Sequence, residues 1–313
     1  MRLVLAIGGG GDIVTASALA VKLGADVGLL PWERYVVDPV PGPLTRSDFV
    51  NAEGENPLFV IGPETRAIRR NRTITPQGAC VSSIIGKKVY AISPDSPPSV
   101  IANALSSHFD EIIGVDVGGD VLACGCEDDL HSPLADSYSL AVLKRAEDLG
   151  VRAEVAVAGL GADGELDRGY LVERASRAAA IGGLLGYYAL EPPEIPLLEQ
   201  LISKCVTEAS RNVLRALKGE YGEVPIRAGA RRAYIDIFTP IFIRFKPSAL
   251  ISMNKIAKAI YENDWDIFKA ALELRKMGYT TEYDFETYIA AGLPPSEALA
   301  KAKADRRCSC KET

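Results

Sequence analysis

The sequence predicts an α/β fold built on a mainly parallel sheet with a helix-rich C-terminal part, and three observations predict it. Short, mostly continuous apolar runs rich in β-branched residues alternate with longer helical patterns through the first 190 residues, the signature of βαβ units whose strands are covered on both faces. Three of these runs lead into glycine-rich segments that carry an acid. After Pro196 the pattern becomes mainly helical.

In chain order, strands are expected at residues 3–7, 26–30, 88–92, 111–117 and 152–158. Helical length and periodicity occur at 12–23, 97–108, 137–149 and 168–190, and Pro97-Pro98 suits a helix start because the first helical N–H needs no internal acceptor. Between the second and third strands, residues 31–87 are rich in Pro, Gly, Asn and polar residues without sustained periodicity and read as an insertion or lid containing one strand at 58–61. Its arginines, Arg66, Arg69, Arg70 and Arg72, either face a phosphate-bearing substrate or form a solvated basic turn, the commoner fate of a charge run.

Residues 1–190 thus form a core that carries the glycine and acid loops, and residues 191–313 a helix-rich part that packs on the same domain or forms a homo-oligomer interface. Helices are expected there at 197–218, 253–261 and 266–277, with a strand region at 234–245. The break Glu191-Pro192-Pro193 ends the preceding helix but is too short for a domain linker. The tail at 306–313 is expected to fray.

Composition narrows the function classes. With 48% hydrophobic and 24% charged residues the chain is expected to be ordered. A net charge of -6 and a pI near 5.2 imply no general attraction to nucleic acid or to an anionic membrane. The apolar run at 3–7 is too short for a signal-peptide core, and the stretch at 178–190 holds three glycines and falls short of the roughly 20 residues that cross a bilayer. A cytoplasmic protein without a transmembrane helix is expected. Six cysteines occur, and Cys124/Cys126 and Cys308/Cys310 have C-x-C rather than C-x-x-C spacing, which argues against structural zinc. His108 and His131 are the only histidines, so a multi-histidine metal site is excluded. Glutamine occurs only at Gln77 and Gln200, a scarcity that hints at a thermophile, where intracellular disulfides are less rare.

Three constellations carry chemistry. The first runs from the apolar segment at 3–7 into Gly8, Gly9, Gly10, Gly11 and Asp12. Residues without Cβ let backbone amides approach a phosphate at a helix N-terminus. The third glycine of G-x-G-x-x-G is missing, as is the Lys-Ser/Thr of a P-loop. Asp12 would repel a phosphate unless a cation lay between them; otherwise it caps the helix. The second constellation is Asp116-Val-Gly118-Gly119-Asp120, followed by Glu127, Asp128, Asp129, His131 and Asp136. Six carboxylates without an intervening Lys or Arg are costly to converge unless a cation or protons compensate, and hard divalent ions take such oxygen ligands. Asp128 and Asp129 read as a solvated turn and Ser132 or Asp136 as a helix cap, with Glu127 divided between ligand and turn. The third is Gly159-Leu-Gly161-Ala-Asp163-Gly-Glu165, an ordinary turn and first-turn acid if taken alone. The repetition is the informative feature, because ligands of open parallel sheets bind outside the carboxyl ends of the strands.

Together the segments Gly8 to Asp12, Gly114 to Asp120, Gly125 to Asp136 with Ser132-Pro-Leu-Ala-Asp136, and Gly159 to Leu166 resemble an archaeal family, the domain-of-unknown-function family 1152. The resemblance spans most of the chain and implies a cytoplasmic protein with a Rossmann-like three-layer sandwich, without implying a reaction. Asp116-Val-Gly-Gly-Asp120-Val121 is also similar to an Asp-x-Gly-Gly-Asn-Glu motif of the catalytic region of D-glutamate cyclases, with Asp120 and Val121 replacing its Asn and Glu.

The resulting expectation is a metal-dependent enzyme that hydrolyses a small phosphate ester. Asp12, Asp116, Asp120 and Glu127 would hold Mg²⁺ or Mn²⁺, Gly8 to Gly11 with Gly118 and Gly119 would hold phosphate, and Asp12 and Asp120 would be catalytic. The alternatives are a metal-dependent lyase or cyclase acting on a small carboxylate, and a nucleotide-binding regulatory module in which Glu33 binds ribose.

Overall fold

A computed structural model describes residues 1–227, 229 and 231–310. Its strands are β1 Arg2–Ala6, β2 Asp26–Leu29, β3 Phe49–Val50, β4 Leu58–Ile61, β5 Arg66–Arg69, β6 Arg72–Ile74, β7 Val89–Ile92, β8 Glu111–Val117, β9 Arg152–Ala158, β10 Leu184–Ala189, β11 Gly222–Ile226, β12 Arg231–Ile235 and β13 Ile241–Phe245. Eight of them form one sheet in the order β10-β13-β9-β8-β1-β2-β7-β4. From β9 to β7 the neighbours are parallel. β4 is antiparallel at one edge, and β13 lies antiparallel between β9 and β10 at the other.

The period of two along each strand explains the layers. In β1 and the residue after it, Leu3, Leu5 and Ile7 enter one apolar core together with Leu134, Tyr138 and Ile256, while Val4 and Ala6 enter a second with Ile13, Leu19 and Val81. Both faces are therefore covered, and the protein is a Rossmann-like three-layer sandwich. One core is roofed by helices Pro98–His108, Pro133–Asp148 and Lys255–Asn263, the other by Ile13–Leu23, Gln77–Ile85, Ile195–Lys204 and Ala209–Leu217. Chain order reverses between β1 and β8: β2 and β7 lie on one side, β9 on the other. That switch point opens a crevice at the strand C-termini.

The expected core strands at the ends of which the acids sit are all present to within about a residue, the ordinary uncertainty of element ends. Several other expectations are corrected. The single helix expected at 168–190 is helix Arg168–Ala180 followed by β10, because Gly182 and Gly183 turn the chain and β10 finds a partner in β13. The helix expected at 197–218 is two, Ile195–Lys204 and Ala209–Leu217, parted where Cys205 is bonded to Cys80 and Thr207 to the Gly11 carbonyl. The strand region at 234–245 belongs to two sheets, split by the turn in which Asp236 and Thr239 bond each other's neighbourhood. The helix expected at 137–149 begins earlier, at Pro133. Residues 31–87 hold edge strand β4, the small sheet β3-β5-β6 and helix Gln77–Ile85. The segment after residue 190 supplies β13, so it is built into the central sheet.

The expected frayed tail is tied down over its described part. Arg306 donates to the Glu127 and Leu130 carbonyls, and Cys308 and Cys310 are disulfide-bonded to Cys126 and Cys124. Residues 311–313 lie outside the described residues. The two C-x-C pairs therefore engage each other. Among the described residues no helix is long and apolar enough to cross a membrane.

Gly114, in the middle of the buried strand β8, sits under helix Pro133–Asp148. A Cβ there would collide with Leu143 and stand 3.1 Å from Ile7 Cγ2. Overpacking of this kind costs about 1–3 kcal/mol, so Gly114→Ala is expected to lower unfolding free energy by about that amount in urea titration. A variant as stable as the parent would show that the two layers are not in close contact here.

Candidate functional site

The crevice at the switch point receives the C-terminal ends of β1, β8 and β9, and each end delivers acid. After β1 the chain turns through Gly8 to Gly11 into helix Ile13–Leu23, with Asp12 at the helix cap position. Asp12 does not cap that helix. Its Oδ2 instead accepts from the Gly8 and Val117 amides at 3.2 and 3.3 Å, joining β1 to β8. Asp116, inside the end of β8, accepts from the Gly119 and Val121 amides at 3.1 and 3.0 Å. Asp136 comes from the first turn of helix Pro133–Asp148. It is not a cap either, since the Leu134 and Ala135 amides donate to Glu282 at 2.9 and 2.8 Å.

One carboxylate oxygen each from Asp12, Asp116 and Asp136 lie within 4.8 Å of one another, and all three residues are buried. Asp136 Oδ1 is buried without a hydrogen-bond partner. No Lys or Arg pairs with any of the three among the described residues. A second trio, Asp120, Asp163 and Glu165, meets beside the first under the same distance limit, but Arg231 Nη1 lies 3.2 Å from Glu165. Glu165 also accepts from the His131 and Ser132 amides and the Ser132 hydroxyl at 2.8, 3.1 and 2.9 Å. Asp120 Oδ2 accepts from the same hydroxyl at 3.1 Å, while its Oδ1 is buried and unpartnered. Room for both trios depends on two glycines. A Cβ on Gly8 would meet the Asp12 and Asp136 carboxylates, and one on Gly118, whose φ is +142°, would stand 2.7 Å from Asp163 Cγ.

The electrostatics follow from this packing. Burial, then the neighbouring Asp116 charge, holds the Asp12 and Asp136 carboxyls well above the usual range. Burial pushes Asp116 up to about 6 and, with Glu165, Asp163 to about 7. Asp120 is raised by burial and by Glu165. Glu165 goes the other way: burial would raise it, but Arg231 and the amides hold it at about 2. Two carboxylates within 4.8 Å repel by roughly 3–4 kcal/mol at the effective dielectric of a protein. Three ionised acids would then consume about as much as a typical domain's whole stability. The first trio must hold protons or a cation.

The acids open on a pocket of about 140 Å³, whose mouth carries Arg34, Thr207, Glu208 and Arg227. Asp12, Asp116 and Asp120 line it, as do Gly8, Gly10 and Gly11. Gly9, Gly118 and Gly119 do not. The phosphate cradle expected from the glycine amides is largely spent within the protein: Gly8 donates to Asp12, Gly10 to the Trp32 carbonyl at 2.8 Å, and Gly119 to Asp116. Glu127 stands in neither trio and does not line the pocket. Its carboxylate is occupied by the Cys124 and Gly125 amides and the Tyr170 hydroxyl, so it anchors a loop. Glu33 does line the pocket, with Oε1 bonded to the Gln77 amide and Oε2 buried and unpartnered, and burial lifts it to about 7. The arginine run lies elsewhere: Arg69 is buried beside Asp38 and Asp48 at 3.5 and 3.6 Å.

Sequence reasoning missed Asp136 as a member of the metal-type trio, and Arg34, Glu208 and Arg227 altogether. Pro133, which suits a helix start, is the signal that could have placed Asp136 in the first turn. A family model described as protein of unknown function (DUF1152) matches residues 3–290. The chain belongs to the DUF1152 family. No curated protein and no solved structure matches it. In this DUF1152 chain both acid trios fall within the matched span and Cys308 and Cys310 beyond it. The family description specifies no reaction, so the chemistry rests on the site.

The raised acids have a measurable consequence. A carboxyl whose folded pKa exceeds its unfolded value stabilises the fold fully below the unfolded value, near 4, and that contribution is lost as pH rises through the folded value. In chelator, the melting temperature is expected to fall between about pH 4 and 7. Mn²⁺, which displaces the protons, is expected to raise it by several degrees at pH 7.5 and much less at pH 5. Differential scanning calorimetry at the two pH values measures this, and equal shifts would remove the protonated-acid account.

Proposed function

We propose that this protein is a metal-dependent hydrolase of small phosphate esters, with Asp12, Asp116 and Asp136 as ligands of Mg²⁺ or Mn²⁺. The observation that carries the reading is the buried trio without a counter-cation, in which Asp136 Oδ1 has no partner. An all-carboxylate set suits a hard divalent ion, and such ions keep coordination positions for water and phosphate. When bound, the ion supplies Lewis-acid polarisation of a phosphoryl oxygen and lowers the pKa of water.

The chain's own residues do the rest. The Gly8, Val117, Gly119 and Val121 amides fix one oxygen of Asp12 and both oxygens of Asp116, so the ligand oxygens are held before anything binds. Asp120 faces the same pocket with a free Oδ1 and is oriented through Oδ2 by Ser132. Its free Oδ1 would accept a proton from attacking water. The three acids are largely buried and line the pocket. A pocket of about 140 Å³ accepts a phosphate-sized group. A carboxylate lyase would use the same ligands, so turnover must separate the two. We place the protein in the cytoplasm, acting on a diffusible substrate.

A panel of phosphate esters and small carboxylates, assayed with Mn²⁺, Mg²⁺ or excess chelator, is expected to give metal-dependent phosphate release. Asp136→Asn is expected to weaken Mn²⁺ binding at least tenfold by calorimetry and to reduce turnover about a hundredfold or more, without lowering the melting temperature in chelator. Unchanged Mn²⁺ titrations in a folded Asp136→Asn protein would take this residue out of the site. Consumption of a carboxylate with no phosphate released would favour the lyase.

A further inference from the structure

The acid pocket is not isolated. Its mouth shares Glu208 and Arg227 with a groove of about 460 Å³ that is also lined by Arg211 and Arg215. Two guanidiniums converge where the cavities join: Arg34 Nη1 and Arg227 Nη1 lie 3.0 and 3.2 Å from the same atom, Glu208 Oε2. That oxygen is buried, yet it makes no well-formed hydrogen bond. Both arginines are partly buried and form no other close ion pair among the described residues, although the Arg227 charge also acts on Asp163 and Glu165.

Arg227 occupies the left-handed region at φ +55° just after β11, as residues of tight hairpin turns do. Glu208 stands at the cap position of helix Ala209–Leu217 but does not cap it. Its side chain reaches the arginines instead, from a main chain held by the Thr207 and Ser210 hydroxyls on the Gly11 carbonyl at 2.9 and 3.2 Å. Arg215 is committed to Glu220, whereas Arg211 is exposed and without an acid partner among the described residues.

We propose that Arg34 and Arg227 form an oxyanion site, held shut in the free protein by the Glu208 carboxylate, that takes a phosphate group of the ligand remote from the group at the acid trio. Two convergent guanidiniums recognise a tetrahedral oxyanion through paired charge-assisted hydrogen bonds. Glu208 presents a single carboxylate oxygen to both, a poorer match than the three oxygens of a phosphate. The helix that begins at Ala209 adds its positive end to the same mouth. Size points the same way: a pocket of about 140 Å³ holds only one end of a metabolite-sized ligand, and the remainder lies in the basic groove. The ligand class is therefore a small molecule with a phosphate at the reacting end and a second anionic phosphate along the groove. Only the identity of the reacting end rests on the hydrolase reading; the oxyanion site stands without metal.

Calorimetric titration of the full chain with inorganic phosphate, pyrophosphate and acetate, all in excess chelator, tests the site apart from the metal. Glu208→Gln is expected to bind pyrophosphate about tenfold or more tightly than the parent, with weaker binding at higher salt. Adding Arg34→Gln or Arg227→Gln to Glu208→Gln is expected to abolish the gain, and either double variant suffices if the other fails to fold. No gain in Glu208→Gln, or a gain that survives loss of either arginine, overturns the proposal. Acetate binding equal to that of phosphate overturns the phosphate assignment. Metal-dependent turnover that fails while pyrophosphate binding follows this pattern removes the hydrolase and keeps the site, and the converse result removes the site alone.

Discussion

The structure turns on like charge buried without compensation at the ends of parallel strands. Asp12, Asp116 and Asp136 are brought within 4.8 Å of one another in surroundings where each pair would repel by roughly 3–4 kcal/mol if ionised. Backbone amides on Asp12 and Asp116 relieve this only in part. The surrounding amides hold oxygens in place, and those oxygens face one another across the crevice. The fold therefore spends stability on preparing the site, as proteins commonly do where function requires it.

The second trio shows what relief looks like. Arg231 and the His131 and Ser132 amides keep Glu165 ionised, and Glu165 in return fixes the loop that leads into helix Pro133–Asp148 and so to Asp136. In the second cluster one acid, Glu165, is neutralised and organises the chain, while the first cluster has no such cation among the described residues. Much of the contrast comes from Arg231, delivered by a hairpin far along the chain. The same hairpin delivers Arg227 to the mouth of the pocket. Crosslinks brace these walls: Cys80–Cys205 stands beside Thr207 and Glu208, and the Cys124 and Cys126 disulfides follow directly on Asp120 to Leu122. Each joins segments 125 or more residues apart, which limits the freedom of the unfolded chain.

Much of the core was legible in order and kind. A run such as residues 3–7 is apolar on both faces, and only a strand covered on both sides needs that pattern. Glycines at its end marked the turn. The same reading failed at 168–190 because Leu184 to Ala189 are compatible with either helix or strand, and pairing with β13 decided between them. It failed at 205–208 because a disulfide and two hydroxyl contacts hold the break, and no local signal records a partner far away in sequence. Glu127 misled for a related reason. A run of acids in sequence says nothing of which carboxylates point inward, and this one was taken by the amides of its own loop.

By itself the sequence determined that acids would gather at the ends of β1, β8 and β9, because strand, glycine turn and acid recur three times and parallel strands present their C-terminal ends on one side. It determined Asp12 and Asp116 as partners on the same ground. Only the tertiary structure decided that Asp136 completes their trio in place of Glu127, since a helix must dock over Gly114 before its first turn can reach the crevice. Only tertiary structure placed Arg34, Glu208 and Arg227 at one point. They come from three segments with no shared pattern, and the forces that unite them, charge and burial, act through space rather than along the chain.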